Sequence, residues 1–189
     1  MTGRSKTVHH RRGTRLSKRL GTFAVVLVAL CAGLVGVAQP ASASVGCVNV
    51  YLINGYTGLA VSAELGDPTY PGMLRARSSG VGAWEKFQQC IDSANNVFTL
   101  KSLANNRYVT TEMNYPGSFK YMLRARATTA GAWEKFTLYG TSSPWMDTFK
   151  GYPNLYVSTE MNFSGNYRYM LRARSASPGE WETYRFGPA

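Results

Sequence analysis

Apolar and polar residues alternate with a period of two over short stretches of this chain, and each stretch ends in a cluster of turn formers. Val97-Phe98-Thr99-Leu100-Lys101 alternates, Ala104-Asn105-Asn106 breaks it, Tyr108-Val109-Thr110 alternates again, and Asn114-Tyr115-Pro116-Gly117-Ser118 is a second break. A period of two is that of a half-buried strand, whose successive side chains point to opposite faces. In Met122-Leu123-Arg124-Ala125-Arg126 it sets Leu123 and Ala125 on one face and both arginines on the other. Strands are therefore predicted near 98–102, 107–112, 121–126 and 134–139. No run with helical periodicity stands in residues 44–189.

The same series occurs three times. Val61-Ser62-Ala63-Glu64, Met73-Leu74-Arg75-Ala76-Arg77 and Gly82-Ala83-Trp84-Glu85-Lys86-Phe87 return as Tyr108-Val109-Thr110-Thr111-Glu112, Met122 to Arg126 and Gly131-Ala132-Trp133-Glu134-Lys135-Phe136. They return again as Tyr156-Val157-Ser158-Thr159-Glu160, Met170-Leu171-Arg172-Ala173-Arg174 and Gly179-Glu180-Trp181-Glu182-Thr183-Tyr184. The glutamates lie 48 and 48 apart and the tryptophans 49 and 48, so three units near 47–94, 95–143 and 144–189 fill one domain, 44–189.

Three units of four strands are too few for a propeller, which needs about four to eight blades. They suit an all-β, twelve-stranded closed barrel and cap with pseudo-threefold symmetry, the β-trefoil, whose closure removes free strand edges. Over 47–187 the recurring Y-V-[ST]-x-E, L-R-A-R and W-E-x-[FY] segments resemble the units of the fascin-like and lectin-like (ricin-B-type) trefoil families. That resemblance implies actin bundling, sugar binding or no ligand. With one trefoil and no appended enzyme, bundling by tandem trefoils is not supported.

The first 43 residues differ from the rest. A basic stretch from Arg4 to Arg19 precedes the apolar run Phe23 to Ala38, and Ala41-Ser42-Ala43 follows. This is the order of a secretory signal peptide, cleaved before Ser44, and it has the look of a Gram-positive bacterial leader. The apolar run is about 16 residues and broken by Gly33 and Gly36, short of the roughly 20 a membrane span needs, so no stable membrane insertion is expected. The leader holds seven of the 21 Lys and Arg and both histidines. The remaining chain has fourteen bases against ten acids, a net +4, and nucleic acid is not the expected partner. Cys31 leaves with the leader, and Cys47 with Cys90 form an even pair, read as one disulfide of a secreted, extracellular monomer.

Without histidine, free thiol or metal-ligand cluster in 44–189, and with most acids in two symmetric triads (Glu64, Glu112, Glu160 and Glu85, Glu134, Glu182), catalysis is not expected and neither cofactor nor metal is called for. Leu74, Leu123 and Leu171, Val61, Val109 and Val157, and Phe87, Phe136 and Tyr184 should form the core, together with Trp84, Trp133 and Trp181. The loops between second and third strands carry rings beyond what a turn requires. They are Asn114, Tyr115, Phe119 and Tyr121 in unit 2, and Asn162, Phe163, Tyr167 and Tyr169 in unit 3. A pyranose has an apolar C–H face and a hydroxyl rim, so rings beside Glu112, Arg124, Glu160 and Arg172 suit a sugar subsite. The alternatives are that the rings only pack over the hairpins, that the Arg and Glu residues are cross-strand ion pairs, or that six arginines form stripes for an acidic polysaccharide.

Unit 1 has a loop one residue shorter, with one aromatic, and is expected to bind weakly or not at all. Trp145 lies outside the repeat, as a binding platform or a local plug. The expected function is recognition of a polysaccharide or other glycan through the loops of units 2 and 3. The second reading is an interaction or inhibitor trefoil that binds a protein target.

Overall fold

Turn chemistry cuts the chain into short strands. In the turn over 103–106 Asn106 takes the left-handed conformation (φ 56°), its N–H donating to Ser102 O at 2.9 Å, and the Asn105 side chain accepts from Arg107 N. The computed structural model describes residues 45–189. The leader and its cleavage site lie outside the described residues.

Twelve strands follow in order: β1 (Val45–Asn54), β2 (Ala60–Glu64), β3 (Met73–Ser78), β4 (Phe87–Asp92), β5 (Val97–Ser102), β6 (Arg107–Thr111), β7 (Leu123–Ala127), β8 (Thr137–Gly140), β9 (Asp147–Gly151), β10 (Leu155–Thr159), β11 (Leu171–Ser175) and β12 (Tyr184–Pro188). Antiparallel pairings close a ring β1–β4–β5–β8–β9–β12–β1, with the β5–β8 step made at Phe98 and Phe136. The other strands form three hairpins, β2–β3, β6–β7 and β10–β11, that cover one end. They meet through Met73 with Arg124, Met122 with Arg172, and Arg75 with Met170.

The core follows the alternation. The leucine, valine and Phe/Phe/Tyr triplets expected inside are all fully buried, and Leu52, Leu100 and Phe149 join them. Tyr184 OH and Thr159 Oγ1 are 3.0 Å apart, so each buried hydroxyl has a partner. At the corresponding place Phe136 has no hydroxyl, and Thr111 Oγ1 is left without one. The Cys47–Cys90 disulfide forms between directly opposed residues of β1 and β4, Cα atoms 4.1 Å apart.

Two expectations are corrected. The fourth strand of unit 2, expected over 134–139, begins only at Thr137, because Ala132–Glu134 form a 3₁₀ turn. The tryptophans placed in the core, Trp84, Trp133 and Trp181, are not in it: Trp84 is 40% and Trp133 37% exposed, and Trp181 is half-buried. The neighbouring glutamate is the cause. Glu85, Glu134 and Glu182 turn inward and accept from the N–H of Gly82, Gly131 and Gly179 at 2.8, 2.7 and 2.7 Å. Glu85 and Glu182 also accept from the Ser62 and Ser158 hydroxyls. Folding the carboxylate under the turn sends the indole outward.

Candidate functional site

The aromatic loops of units 2 and 3 meet each other and that of unit 1 rather than standing apart. Tyr70, Phe119 and Tyr167, each three residues before a cap methionine, meet as a triad with centroids 5.1, 5.0 and 5.9 Å apart. Below them Met73, Met122 and Met170 are fully buried, and Tyr115 and Phe163 pack on the same cluster. Burial, then the Tyr167 and Tyr115 phenols, raises the pKa of the Tyr70 phenol. Tyr121 and Tyr169 sit where unit 1 has Gly72; all three have positive φ (67°, 64° and 85°), and both tyrosine rings pack against the main core. Asn114 and Asn162 are exposed.

The charged candidates are joined to one another and to loop carbonyls. Glu112 pairs with Arg126 and lies 3.5 Å from Arg124. Glu160 pairs with Arg172 at 2.7 Å and Arg174 at 3.0 Å, and Glu64 with Arg77. Arg126 is raised in pKa, first by its bond to Glu112. The first arginine of each Leu-Arg-Ala-Arg segment donates to the loop of another unit: Arg124 to Pro71 O, Arg172 to Ser118 O and Arg75 to Arg168 O. Arg124 also donates to Tyr115 OH. These groups clasp the cap together.

A pocket of about 340 Å³ opens beside Trp133, lined by Thr110, Arg126, Thr128, Thr129, Gly131 and Glu134. It joins a planar apolar wall to a guanidinium whose side chain is 47% exposed and to threonine hydroxyls. Sequence reasoning missed it because a tryptophan repeated with the fold reads as core. The available signal was the Gly-Ala-Trp-Glu segment, polar or small on both sides. Trp145, 74% exposed, stands apart in the β8–β9 loop.

No protein-family model and no curated protein matches the chain. Solved structures do match. The BEL β-trefoil in its apo form shares 9% identity at a TM-score of 0.58, over 75% of this chain and 93% of that one. The fold is a β-trefoil. The Rhizoctonia solani agglutinin matches this trefoil at 15% identity and TM-score 0.59, over 77% of this chain and 98% of that one. SeviL, solved bound to asialo-GM1 saccharide, matches at 13% and 0.55, over 76% and 99%. No helix among the trefoil's described residues is long and apolar enough to cross a membrane.

Proposed function

We propose that this β-trefoil is a secreted, non-catalytic carbohydrate-binding protein of three repeated units. The observation that carries the reading is the exposed Trp133 indole walling a pocket with Arg126 and threonine hydroxyls. An indole stacks on the C–H face of a pyranose while hydroxyls and guanidinium serve its polar rim. Unit 1 offers an exposed Trp84 with Arg77 at the corresponding places. In unit 3 Trp181 meets Tyr56 edge-on at 6.5 Å. The agglutinin and the saccharide-bound SeviL, trefoils of one size with this one, support the class of ligand.

In this reading the loop residues Glu112, Arg124, Glu160 and Arg172 support the cap, and contact with sugar falls to the tryptophans. The test is a pull-down of the disulfide-bonded protein on chitin, cellulose, xylan, β-glucan and peptidoglycan, with a soluble glycan array. Binding to one class, competed by its oligosaccharides and lost in Trp133→Ala with Trp84→Ala, is expected. Failure on every glycan overturns the reading. A protein target is then the alternative, favoured by Trp145, which is exposed in a loop with no counterpart in the repeat.

A further inference from the structure

The three seams between units are not alike. At the seam of units 1 and 2, Leu103 N–H donates to Lys86 O at 3.0 Å; at the seam of units 3 and 1, Gly55 N–H makes the same bond to Thr183 O at 2.8 Å. The repeat places Lys86 and Lys101 at the first seam and Lys135 and Lys150 at the second. The third has Thr183 and Ile53 at those places, and Glu180 where the others have Ala83 and Ala132. Two cations are removed and an anion added at one seam of three.

Space changes with charge. Gly55 stands where the first seam has Leu103, and a Cβ there would lie 2.4 Å from Thr183 Oγ1 and 3.3 Å from Met146 Sδ. Beside this close contact lies a groove of about 620 Å³, lined by Tyr56, Met146, Pro178, Glu180 and Thr183 among others. At the second seam the corresponding space, beside Lys135 and Lys150, is about 170 Å³. A buried side chain bridges the third seam: Asn54 donates to the carbonyls of Trp181 and Thr183 at 3.3 and 3.2 Å. Tyr56, 56% exposed, forms an aromatic wall. The Glu180 carboxylate has no cation and no hydrogen-bond donor among the described residues.

We propose that this groove binds an ammonium group carried on a small frame with an apolar face, as in an amino sugar, with Glu180 as counter-ion and Tyr56 as the ring that face and cation lie against. A carboxylate and an aromatic face together favour an amine over a neutral hydroxyl, because both attractions need the positive charge. The site is separate from the Trp133 pocket and does not depend on it.

Isothermal titration of the disulfide-bonded protein with a glucosamine trisaccharide, its N-acetylated counterpart and cadaverine tests this. Both amine probes show binding that depends on Glu180, and the acetylated one shows none. Glu180→Ala, the residue of the other units, weakens binding by at least about tenfold. Thr183→Lys, which restores the cation of the other seams, abolishes it. The trisaccharide binding more tightly than cadaverine identifies an amino sugar as the source; equal binding identifies the amine alone, and both support the site. No binding by either amine, equal binding of the acetylated probe, or binding insensitive to Glu180→Ala overturns it. Circular dichroism of each variant separates loss of the site from loss of fold.

Discussion

The Arg124 guanidinium holds the carbonyl of Pro71 with two nitrogens, Nε at 3.2 Å and Nη2 at 2.8 Å, tying β7 to the loop before β3. Arg124 is buried, whereas its neighbour Arg126 reaches solvent. Arg124→Ala should therefore cost about 2–3 kcal/mol, since Pro71 O loses a charged donor and the buried Glu112 loses a cation 3.5 Å away. Arg126→Ala should cost under about 1 kcal/mol. Urea denaturation of both checks the order; equal costs would show that the clasp is not what holds the cap.

The outward tryptophan separates recognition from packing. Phe136→Ala removes a fully buried ring of the main core and should cost about 3–5 kcal/mol. Trp133→Ala, on the 3₁₀ turn and exposed on one side, should cost clearly less, about 1–2 kcal/mol on the area it buries. Thermal unfolding of the pair checks this, and a Trp133 cost matching that of Phe136 would return the indole to a core role.

Tyr121 and Tyr169 form a different case. Their rings lie against the main core, with Lys120 Nζ 5.0 Å and Arg168 Cζ 4.6 Å from the ring centroids. The double change Tyr121→Ala with Tyr169→Ala should lower stability by about 2–4 kcal/mol in total, as two half-buried rings are lost. Glycan binding by the folded fraction should persist. Lost binding with an unchanged melting temperature would make these tyrosines the sugar contacts.

Thr111 should tolerate loss of its hydroxyl. Its Oγ1 is buried with no partner, whereas Thr159 in the next unit has Tyr184 OH. Thr111→Val keeps the shape and removes an unmet polar group, so it should stabilise by about 1 kcal/mol. Thr159→Val should destabilise, because it strands the buried Tyr184 hydroxyl. Chemical denaturation reads the opposite signs.

Burial raises the pKa of the Asp147 carboxyl. A carboxyl with a raised folded pKa binds its proton more tightly in the native state, so it opposes folding at neutral pH, and the penalty fades as pH falls through that pKa toward the unfolded value. Asp147→Asn should thus raise the melting temperature at pH 7, and the gain should shrink toward zero on acidification below the raised value. A gain constant with pH would point to a cause other than titration.

How the sequence and the fold divide the information can be followed residue by residue. The period of two settled which strand residues face inward, so Val109, Leu123 and Phe136 could be placed in the core beforehand, and the even cysteine pair foretold Cys47–Cys90. The first is local, since side-chain alternation needs only the strand; the second is a matter of number, since two cysteines in 44–189 have only each other to pair with. The tryptophans defeated the same logic because they lie on 3₁₀ turns, where alternation stops and the inward Glu134 decides the direction of the ring. The loops announced their rings but not that Tyr70, Phe119 and Tyr167, from three units, converge on one methionine cluster. The groove at Gly55 and Thr183 depends on residues from opposite ends of the domain. Only chain closure brings those ends side by side, so only the tertiary structure could show that a missing side chain and a reversed charge share one seam.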